Sequence, residues 1–291
     1  SNATSGFDYN PSGTITNTGT NFNFSNTSFT HNSTANITNA HDVSFFKFYG
    51  NATLTNVNVT SNQLPNKAYG IAFTGKSTAS GTIQLNGVTC NGIVGKGALI
   101  FQQYSDINNI SLNNVDVQST TAPWGQVIID HTDIDALNLG NTILRSLVLW
   151  NAGGVNATSA NFRHITLGTP LSNAVLADNF QIEDQIVHKI DLMLLGLARV
   201  KAGEVFVTVN SFVTPNTTPS IQRGIDASSA GFIVNAGPGN FTEQLEVNKS
   251  LTIDGQGIGI TNIISPNTLA LSYTTSGVNK PVIYVHDASD V

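Results

Sequence analysis

The residues of this chain best suited to chemistry lie in one short acidic segment, Asp130-His131-Thr132-Asp133-Ile134-Asp135. Carboxylates at alternate positions are the hard oxygen ligands that Ca²⁺ prefers. Arg145, Arg163 and His164 follow later in the chain and add cationic and titratable groups. The competing interpretation is a solvated turn after an apolar strand, because no matching carboxylates recur in the neighbouring repeats described below. We therefore assign no catalytic and no metal-binding residue, and leave Ca²⁺ binding by Asp130, Asp133 and Asp135 as an open alternative.

Three aromatic residues are candidates for a platform on which a sugar ring stacks, namely Trp124, Trp150 and Tyr104. Trp150 ends an apolar strand, and we predict that it lies in the core. Trp124 follows a proline in a predicted loop and is therefore the better ligand candidate.

The other motifs have structural interpretations. Cys90 is the one cysteine, so no internal disulfide forms, and its place in the repeat predicts a small core residue. The glycines of 255–259 have the spacing of a dinucleotide-binding loop, but a β-branched strand follows them instead of a helix, which predicts turns. The sequence contains no nucleophile elbow, no zinc-binding His-Glu-x-x-His helix and no cysteine-based metal site.

The composition predicts a surface that is polar but sparsely charged. Of the 291 residues, 10% are charged, whereas an ordinary globular protein has roughly 25%. The net charge of −6 and the pI near 5.3 argue against nucleic acid and anionic membranes as partners, since both require clustered Lys and Arg. No transmembrane segment is present in the sequence, so we predict no direct membrane insertion.

The elements that would position these residues are set by a recurring phrase. Apolar residues occupy relative positions 0, 2, 5 and 7, and Asn, Gly or Ser occupies position 4. The second apolar residues of the six copies are Phe24, Leu54, Leu85, Leu112, Leu139 and Ala157. They are separated by 30, 31, 27, 27 and 18 residues. A repeat of this length indicates a solenoid, in which each unit buries its apolar face against its neighbours.

The internal spacing of the phrase indicates strand, bend and strand. Apolar residues two apart are typical of a β-strand, and helical spacing does not occur in these copies. Position 4 is Asn in four of the six copies, and Asn and Gly tolerate the left-handed backbone of a sharp corner. Stacked repeats would bring these Asn side chains together, so we predict amide hydrogen bonds along the stack.

Further strands are predicted between the copies of the phrase. They are more continuously apolar, as expected for parallel strands buried on both faces. They comprise Val43–Phe48, Tyr69–Phe73, Ala98–Phe101, Val127–Ile129 and Leu147–Trp150.

The chain divides into four predicted segments. Residues 1–3 have the sequence of a tag-cleavage scar, and 4–175 form a first β-helix unit. Helix-like spacing over Leu176–Val200, with Asp178 as N-cap, predicts a helix that covers the open end of this unit. The helical cap and linker occupy 176–222, and 223–291 begin a second β-helix unit, after a short helix over Ser220–Ser229. We expect the chain to be a fragment of a longer protein.

The opening of the second unit resembles a known family. Gly231-Phe-Ile-Val-Asn-Ala-Gly-Pro-Gly-Asn-Phe-Thr-Glu243 and Val247-Asn-Lys-Ser-Leu-Thr-Ile-Asp-Gly255 are similar to the first coil of secreted right-handed parallel β-helix proteins of the pectin-lyase-like superfamily. The resemblance implies an all-β, right-handed parallel β-helix. Enzymes of this type hold Ca²⁺ with carboxylates on one face and use Arg or Lys as a base. The match covers about 40 residues closely and the rest only by repeat style, so it supports fold more than function.

The leading functional hypothesis is a non-catalytic structural or adhesive segment of a large exported or cell-surface protein, extracellular and bacterial. Polysaccharides or cell-surface glycans and neighbouring repeats of the parent protein are its expected partners, and no cofactor is expected. The alternatives are a polysaccharide lyase, hydrolase or esterase on the same fold, and a carbohydrate-binding module without turnover. An enzyme would present several carboxylates with Arg or Lys along one groove.

Overall fold

The computed structural model describes residues 7–9, 20–31, 41–46, 48, 50–62, 69–74, 81–93, 97–102, 110–117, 127–130, 137–150, 153–163, 169–212, 216–269 and 280–289. The predicted all-β class is confirmed, and every pair of named strands in these residues is parallel.

The strands are β1 (Phe7–Tyr9), β2 (Asn21–His31), β3 (Val43–Phe46), β4 (Asn51–Asn62), β5 (Tyr69–Thr74), β6 (Ile83–Asn86), β7 (Thr89–Ile93), β8 (Gly97–Gln102), β9 (Ile110–Asn113), β10 (Asp116–Val117), β11 (Val127–Asp130), β12 (Leu137–Asn138), β13 (Ile143–Leu144), β14 (Leu147–Leu149), β15 (Val155–Asn156), β16 (Asn161–Phe162), β17 (Ile186–Val187), β18 (Ala198–Arg199), β19 (Glu204–Val207), β20 (Ile233–Ala236), β21 (Gly239–Thr242), β22 (Leu245–Val247), β23 (Thr252–Gly255), β24 (Thr261–Ile264) and β25 (Ile283–Val285). The helices are α1 (Leu176–Glu183) and α2 (Ile221–Ala227), with a 3₁₀ turn at Leu171–Asn173.

The chain alternates between sheets instead of finishing one before it starts the next. A first sheet has the order β1-β3-β5-β8-β11-β14-β17, and the strands between these pair in a second sheet that contains β2, β4, β6, β7, β9, β10, β13 and β16. A third sheet has the order β12-β15-β18. After β18, the sheets are β19-β20-β23, β21-β24 and β22-β25. Each strand therefore pairs with a strand of the next repeat, and the crossover that parallel pairing requires runs through the other sheets.

The predicted register of the phrase is confirmed in the first arm of its first four copies, whereas the first arms of the fifth and sixth copies pair with each other in the third sheet. Phe24 pairs with Leu54, Leu54 with Leu85, and Leu85 with Leu112. The second arm behaves in the same way, since Cys90 lies between Val59 and Val117. The period of two places these side chains on the buried face of the second sheet, where they join one continuous core.

The first sheet supplies the aromatic part of this core. The rings of Phe45 and Phe73 are stacked with centroids 4.8 Å apart, and Phe73 and Phe101 are stacked at 5.5 Å. The residues that alternate with them, Ala72 and Ile100, are also buried. This confirms the expectation that the continuously apolar strands are covered on both faces.

The left-handed backbone predicted at the corners is present, with one difference in position. Asn26, Asn56 and Asn114 have φ values of 51°, 51° and 49°, and Gly87 has 63°. In the fifth copy the left-handed residue is Gly140, with φ of 54°, instead of the predicted Asn141. Gly140 lies so close to Leu112 that an added Cβ would be 2.3 Å from its carbonyl oxygen, which only glycine allows.

The predicted amide hydrogen bonds are present but not continuous. Asn56 Nδ2 donates to Asn26 Oδ1 at 3.1 Å, and Asn141 Nδ2 donates to Asn114 Oδ1 at 2.5 Å. Gly87 interrupts the series because it has no amide side chain. Asn141 therefore keeps its place in the ladder although its neighbour makes the corner.

The helix predicted over Leu176–Val200 is wrong beyond its first eight residues, since α1 ends at Glu183. Ile186–Val187 and Ala198–Arg199 instead extend the first and third sheets as β17 and β18. Pairing with an existing sheet edge satisfies the backbone and buries Ile186, which outweighs helical spacing. Asp178 is not the N-cap. It lies in the first turn, where its charge favours the helix, and the cap is Val175 without a side-chain hydrogen bond.

The helix prediction for Ser220–Ser229 is confirmed by α2. Ser220 is its N-cap and accepts a hydrogen bond from Arg223 N. α1 packs Ile182 into the first core, and its Phe180 contacts Phe206 edge to face at 6.1 Å. The division of the chain into units at 175 and 222 stays a prediction.

Candidate functional site

The acidic segment of the sequence is described only at its first residue. Asp130 ends β11, and its Oδ2 accepts a hydrogen bond from Gln102 Nε2 of the neighbouring strand at 2.9 Å. His131, Asp133 and Asp135 lie outside the described residues, and so does His164. Arg163 forms an ion pair with Asp116 of β10. Ca²⁺ binding at this segment therefore stays a prediction.

The aromatic candidates are not brought together by the described residues. Trp150 is 45% exposed just after β14, so its predicted place in the core is wrong. The inward positions of this strand belong to Leu147 and Leu149, so alternation turns Trp150 to the opposite face, although its N–H still donates to Ile129 O at 2.9 Å. Trp124 and Tyr104 lie outside the described residues.

Cys90 and the 255–259 glycines have the structural roles that their spacing indicates. Cys90 is buried, its Sγ donates to Ala98 O at 3.2 Å, and burial raises the pKa of the thiol well above its usual value. Gly257 and Gly259 have φ values of 128° and 76° in the turn between β23 and β24. The turn is therefore built by glycine and does not open a helix.

A cluster of three ionisable side chains is buried where α1 meets β17. Glu183 is the last residue of α1, His188 follows β17, and Asp191 lies in the turn after it. Their exposed fractions are 2%, 2% and 4%, and their nitrogen and oxygen ligand atoms all lie within 4.8 Å of one another. Burial of three ionisable groups costs free energy unless each has hydrogen-bond partners. The hydrogen bonds of the three side chains therefore distinguish a metal site from a structural network.

The imidazole of His188 is held by both ring nitrogens. Ala198 N–H of β18 donates to Nδ1 at 3.1 Å, which fixes Nδ1 as the unprotonated nitrogen. Nε2 then carries the proton and donates to Glu183 Oε1 at 2.9 Å. The backbone N–H of His188 donates to Asp191 Oδ2, also at 2.9 Å. A neutral imidazole satisfies every one of these contacts.

The hydrogen bond from Ala198 argues against a metal ion at this cluster. A metal bound through Nε2 of His188 would move the proton to Nδ1, where it would face the Ala198 N–H donor. Metal-binding histidines instead give their other N–H to an acceptor. The geometry of the three ligand atoms is compatible with an ion, but the hydrogen-bond donor at Nδ1 is not. We therefore interpret the cluster as a structural network.

A second layer of polar contacts ties the cluster to the chain that follows. Thr208 Oγ1 and Asn210 Nδ2 donate to the carboxylate of Asp184 at 2.5 and 2.9 Å. Ser211 Oγ donates to Glu183 at 3.4 Å. Arg223 of α2 donates to the carbonyl oxygens of Ser211 and Ile190. These bonds fasten the end of α1 to the turn after β19, and they fasten α2 to that turn and to Ile190.

Glu243, the acid in the family-like phrase, has a defined structural role. Its carboxylate accepts from Ile221 N at 2.6 Å, from Gln222 N at 3.2 Å and from Ser220 Oγ at 2.8 Å. These backbone N–H groups lie in the first turn of α2 and lack partners within the helix. Burial raises the pKa of Glu243, and the hydrogen bonds to its carboxylate oppose this.

The ionisation of Asp191 predicts a pH dependence of stability. Burial raises the pKa of Asp191 to about 7, against the opposing effect of His188, whereas an unfolded Asp has a pKa of roughly 3.9. Between these values the folded state binds more protons than the unfolded state. The contribution of this group to the free energy of unfolding therefore falls as the pH rises from about 4 to 7, and levels off above that.

The Asp191→Asn variant is expected to lose this dependence, since the amide keeps an acceptor for His188 N–H but does not ionise. Urea unfolding at pH 5, 6, 7 and 8 should show the variant gaining a few kcal/mol relative to the wild type across this range. Asp226→Asn, on the exposed face of α2, is the control and should leave the pH slope unchanged. Equal slopes in the wild type and Asp191→Asn would contradict the prediction.

No pattern in the sequence predicted this cluster. The available signal was polarity inside an apolar segment, because Glu183, His188 and Asp191 interrupt a run that was interpreted as one amphipathic helix. On a straight helix the three would not converge. They meet because the chain leaves the helix after Glu183 and turns back at Asp191.

Comparison with known proteins gives one short similarity. A stretch of 72 residues is 38% identical to a cell surface glycoprotein of Methanothermus fervidus. It covers 24% of this chain and 12% of that protein. No protein-family model and no solved structure matches the chain. Membership of the pectin-lyase-like superfamily therefore stays a prediction. In the described part of the chain, no helix has the length and apolar character needed to cross a bilayer.

Proposed function

We propose that this chain is a structural segment of a cell-surface protein, built as a right-handed parallel β-helix. The observation that carries the proposal is the parallel pairing that runs through seven successive strands of the first sheet, from β1 to β17. Val43, Ile71, Leu99, Val127, Leu147 and Ile186 follow one another in register along it. Right-handed winding is the general rule for parallel crossovers.

Such an architecture suits a mechanical role. Each strand is hydrogen-bonded to its neighbours along the stack, and the core is continuous from the first strands to Phe206. Repeat proteins of this kind gain length by adding units that contact only their neighbours. The described ionisable cluster also serves packing, since its members bond to each other and to the backbone. The name of the Methanothermus fervidus protein supports a location at the cell surface.

The location is tested with antibodies raised against the purified chain. Intact source cells and permeabilised cells are labelled in parallel, with an antibody against a cytoplasmic protein as the control. We expect intact cells to give nearly the full signal. A signal that requires permeabilisation would overturn the proposed surface role.

The non-catalytic part of the proposal is tested on soluble polysaccharides, neutral and acidic, with and without Ca²⁺. Reducing ends and unsaturated products are measured after long incubation, and no product above background is expected. Turnover that is lost in Asp130→Asn and kept in the control Asp226→Asn would establish the enzymatic alternative instead. Retention of a labelled glycan without turnover would establish a binding module.

A further inference from the structure

A small cavity with two cationic side chains opens beside the buried cluster. It has a volume of about 190 Å³, and its lining includes Lys189, Arg199, Ser229, Phe232, Gly154 and Gly196. Lys189 lies in the turn after β17 and Arg199 ends β18, whereas Ser229 and Phe232 follow α2. None of the described lining residues is acidic. Two basic residues therefore line one cavity in a protein whose net charge is −6.

Part of the lining is a close approach of two backbone segments, where Gly196 leaves no room for a side chain. A Cβ on Gly196 would lie 1.6 Å from Gly153 O and 2.2 Å from Gly153 C. The two segments are joined by Val155 N–H, which donates to Leu197 O at 2.9 Å. Lys189 N–H donates to Gly196 O at 2.9 Å and fixes the other side. The space is therefore a built feature of the β15–β18 pairing and not a gap between mobile side chains.

The charge and size of the cavity define its ligand. Lys189 forms no ion pair with any acidic residue in the described ranges. An anion between two cations gains Coulomb energy from both, and guanidinium presents paired donors that match oxyanions. At about 30 Å³ per water, the cavity holds about six waters. Pockets for drug-sized ligands begin at roughly 300 Å³, so the space inside this cavity suits a small anionic group.

We propose that this cavity binds a tetrahedral oxyanion, phosphate or sulfate, between Lys189, Arg199 and the hydroxyl of Ser229. Phe232 forms the apolar wall on one side. The anion would contact both the β17–β18 segment and the turn after α2, so binding stabilises their junction. The oxyanion is either free in solution or the ester group of a polymer. This inference is independent of the surface role.

The test is thermal unfolding of the whole chain in sulfate and in phosphate, against sodium chloride of equal ionic strength. Both anions also stabilise proteins in general because they are excluded from the protein surface. Binding at this cavity is therefore judged from the difference between the wild type and the variants in the same anion. Lys189→Gln is expected to lose most of the saturable rise in the unfolding temperature, and to weaken phosphate binding in calorimetry at least tenfold. Lys201→Gln removes a lysine that is paired with Glu204, and it should behave like the wild type.

A second variant separates a loss of anion binding from a loss of folding. Ser229→Glu places a carboxylate at the exposed rim without touching the core, and it is expected to abolish binding while the unfolding temperature in chloride is kept. Sulfated dextran, neutral dextran and free sulfate then separate the two sources of the anion. Tighter binding of sulfated dextran assigns an ester, and equal binding per sulfate assigns the free ion. The same anion response in wild type, Lys189→Gln and Ser229→Glu would overturn the site.

Discussion

Replacement of Phe73 by Ala is expected to lower the free energy of unfolding by about 3–5 kcal/mol. Phe73 lies in β5 with 0% of its surface exposed, stacked between Phe45 and Phe101 at centroid distances of 4.8 and 5.5 Å. Ala at this position loses the transfer energy of the ring and leaves a cavity between two aromatic side chains that are held by their own strands. The neighbours cannot close the gap without breaking the register of the first sheet.

The matched control is Phe46→Ala in the adjacent strand. Phe46 is 39% exposed at the end of β3, so its removal should cost less than about 1 kcal/mol. Urea unfolding followed by circular dichroism measures both variants. A cost for Phe73→Ala no larger than that for Phe46→Ala would show that the aromatic stack does not carry the core.

His188→Ala is expected to cost about 3–5 kcal/mol, because it removes one partner of a buried, hydrogen-bonded network. Glu183 would lose its closer donor and keep only the longer hydrogen bond from Ser211, and Ala198 N–H would lose its acceptor at a buried position. Unsatisfied buried groups carry the full desolvation penalty. Since Ala198 belongs to β18, we also expect faster amide hydrogen exchange at the β15–β18 pairing.

The control is His286→Ala. His286 also bonds to two carboxylates, Glu246 and Asp287, each at 2.8 Å, but it lies at the surface, where water replaces the lost partners. Little change in stability is expected there. If the two histidine variants are equally stable, the interpretation of the cluster as a structural network is wrong.

The repeat register could be predicted from the sequence because it depends only on local periodicity. Apolar residues two apart must face the same side of a strand, so Leu54, Leu85 and Leu112 reach one core wherever the strands stack. The Asn corners follow for a similar reason, since few residues tolerate left-handed backbone. Glycine competes for that position, and this is why the corner moved from Asn141 to Gly140.

The structure of the segment after α1 could not be predicted because its apolar spacing is compatible both with a continued helix and with short strands. Ile186, Ile190 and Leu194 are spaced as on a helix, yet Ile186 instead pairs at the edge of the first sheet. A free sheet edge offers hydrogen-bond partners to the backbone, and the spacing of apolar residues in the sequence does not show where such an edge lies. The exposure of Trp150 could not be predicted either, since Trp150 lies on the outward face of its strand and its burial depends on whether another part of the chain covers that face.

The sequence by itself thus determined that the repeats pair as parallel strands, which residues of the recurring phrase face inward, and where the corners need Asn or Gly. These properties are set by side-chain alternation and backbone sterics within a few residues. Only the tertiary structure decided that Glu183, His188 and Asp191 meet, and that Lys189 and Arg199 line one cavity. Those contacts depend on how the turn after β17 packs against β18 and α2. The spacing of residues along the sequence does not predict which side chains this packing brings together.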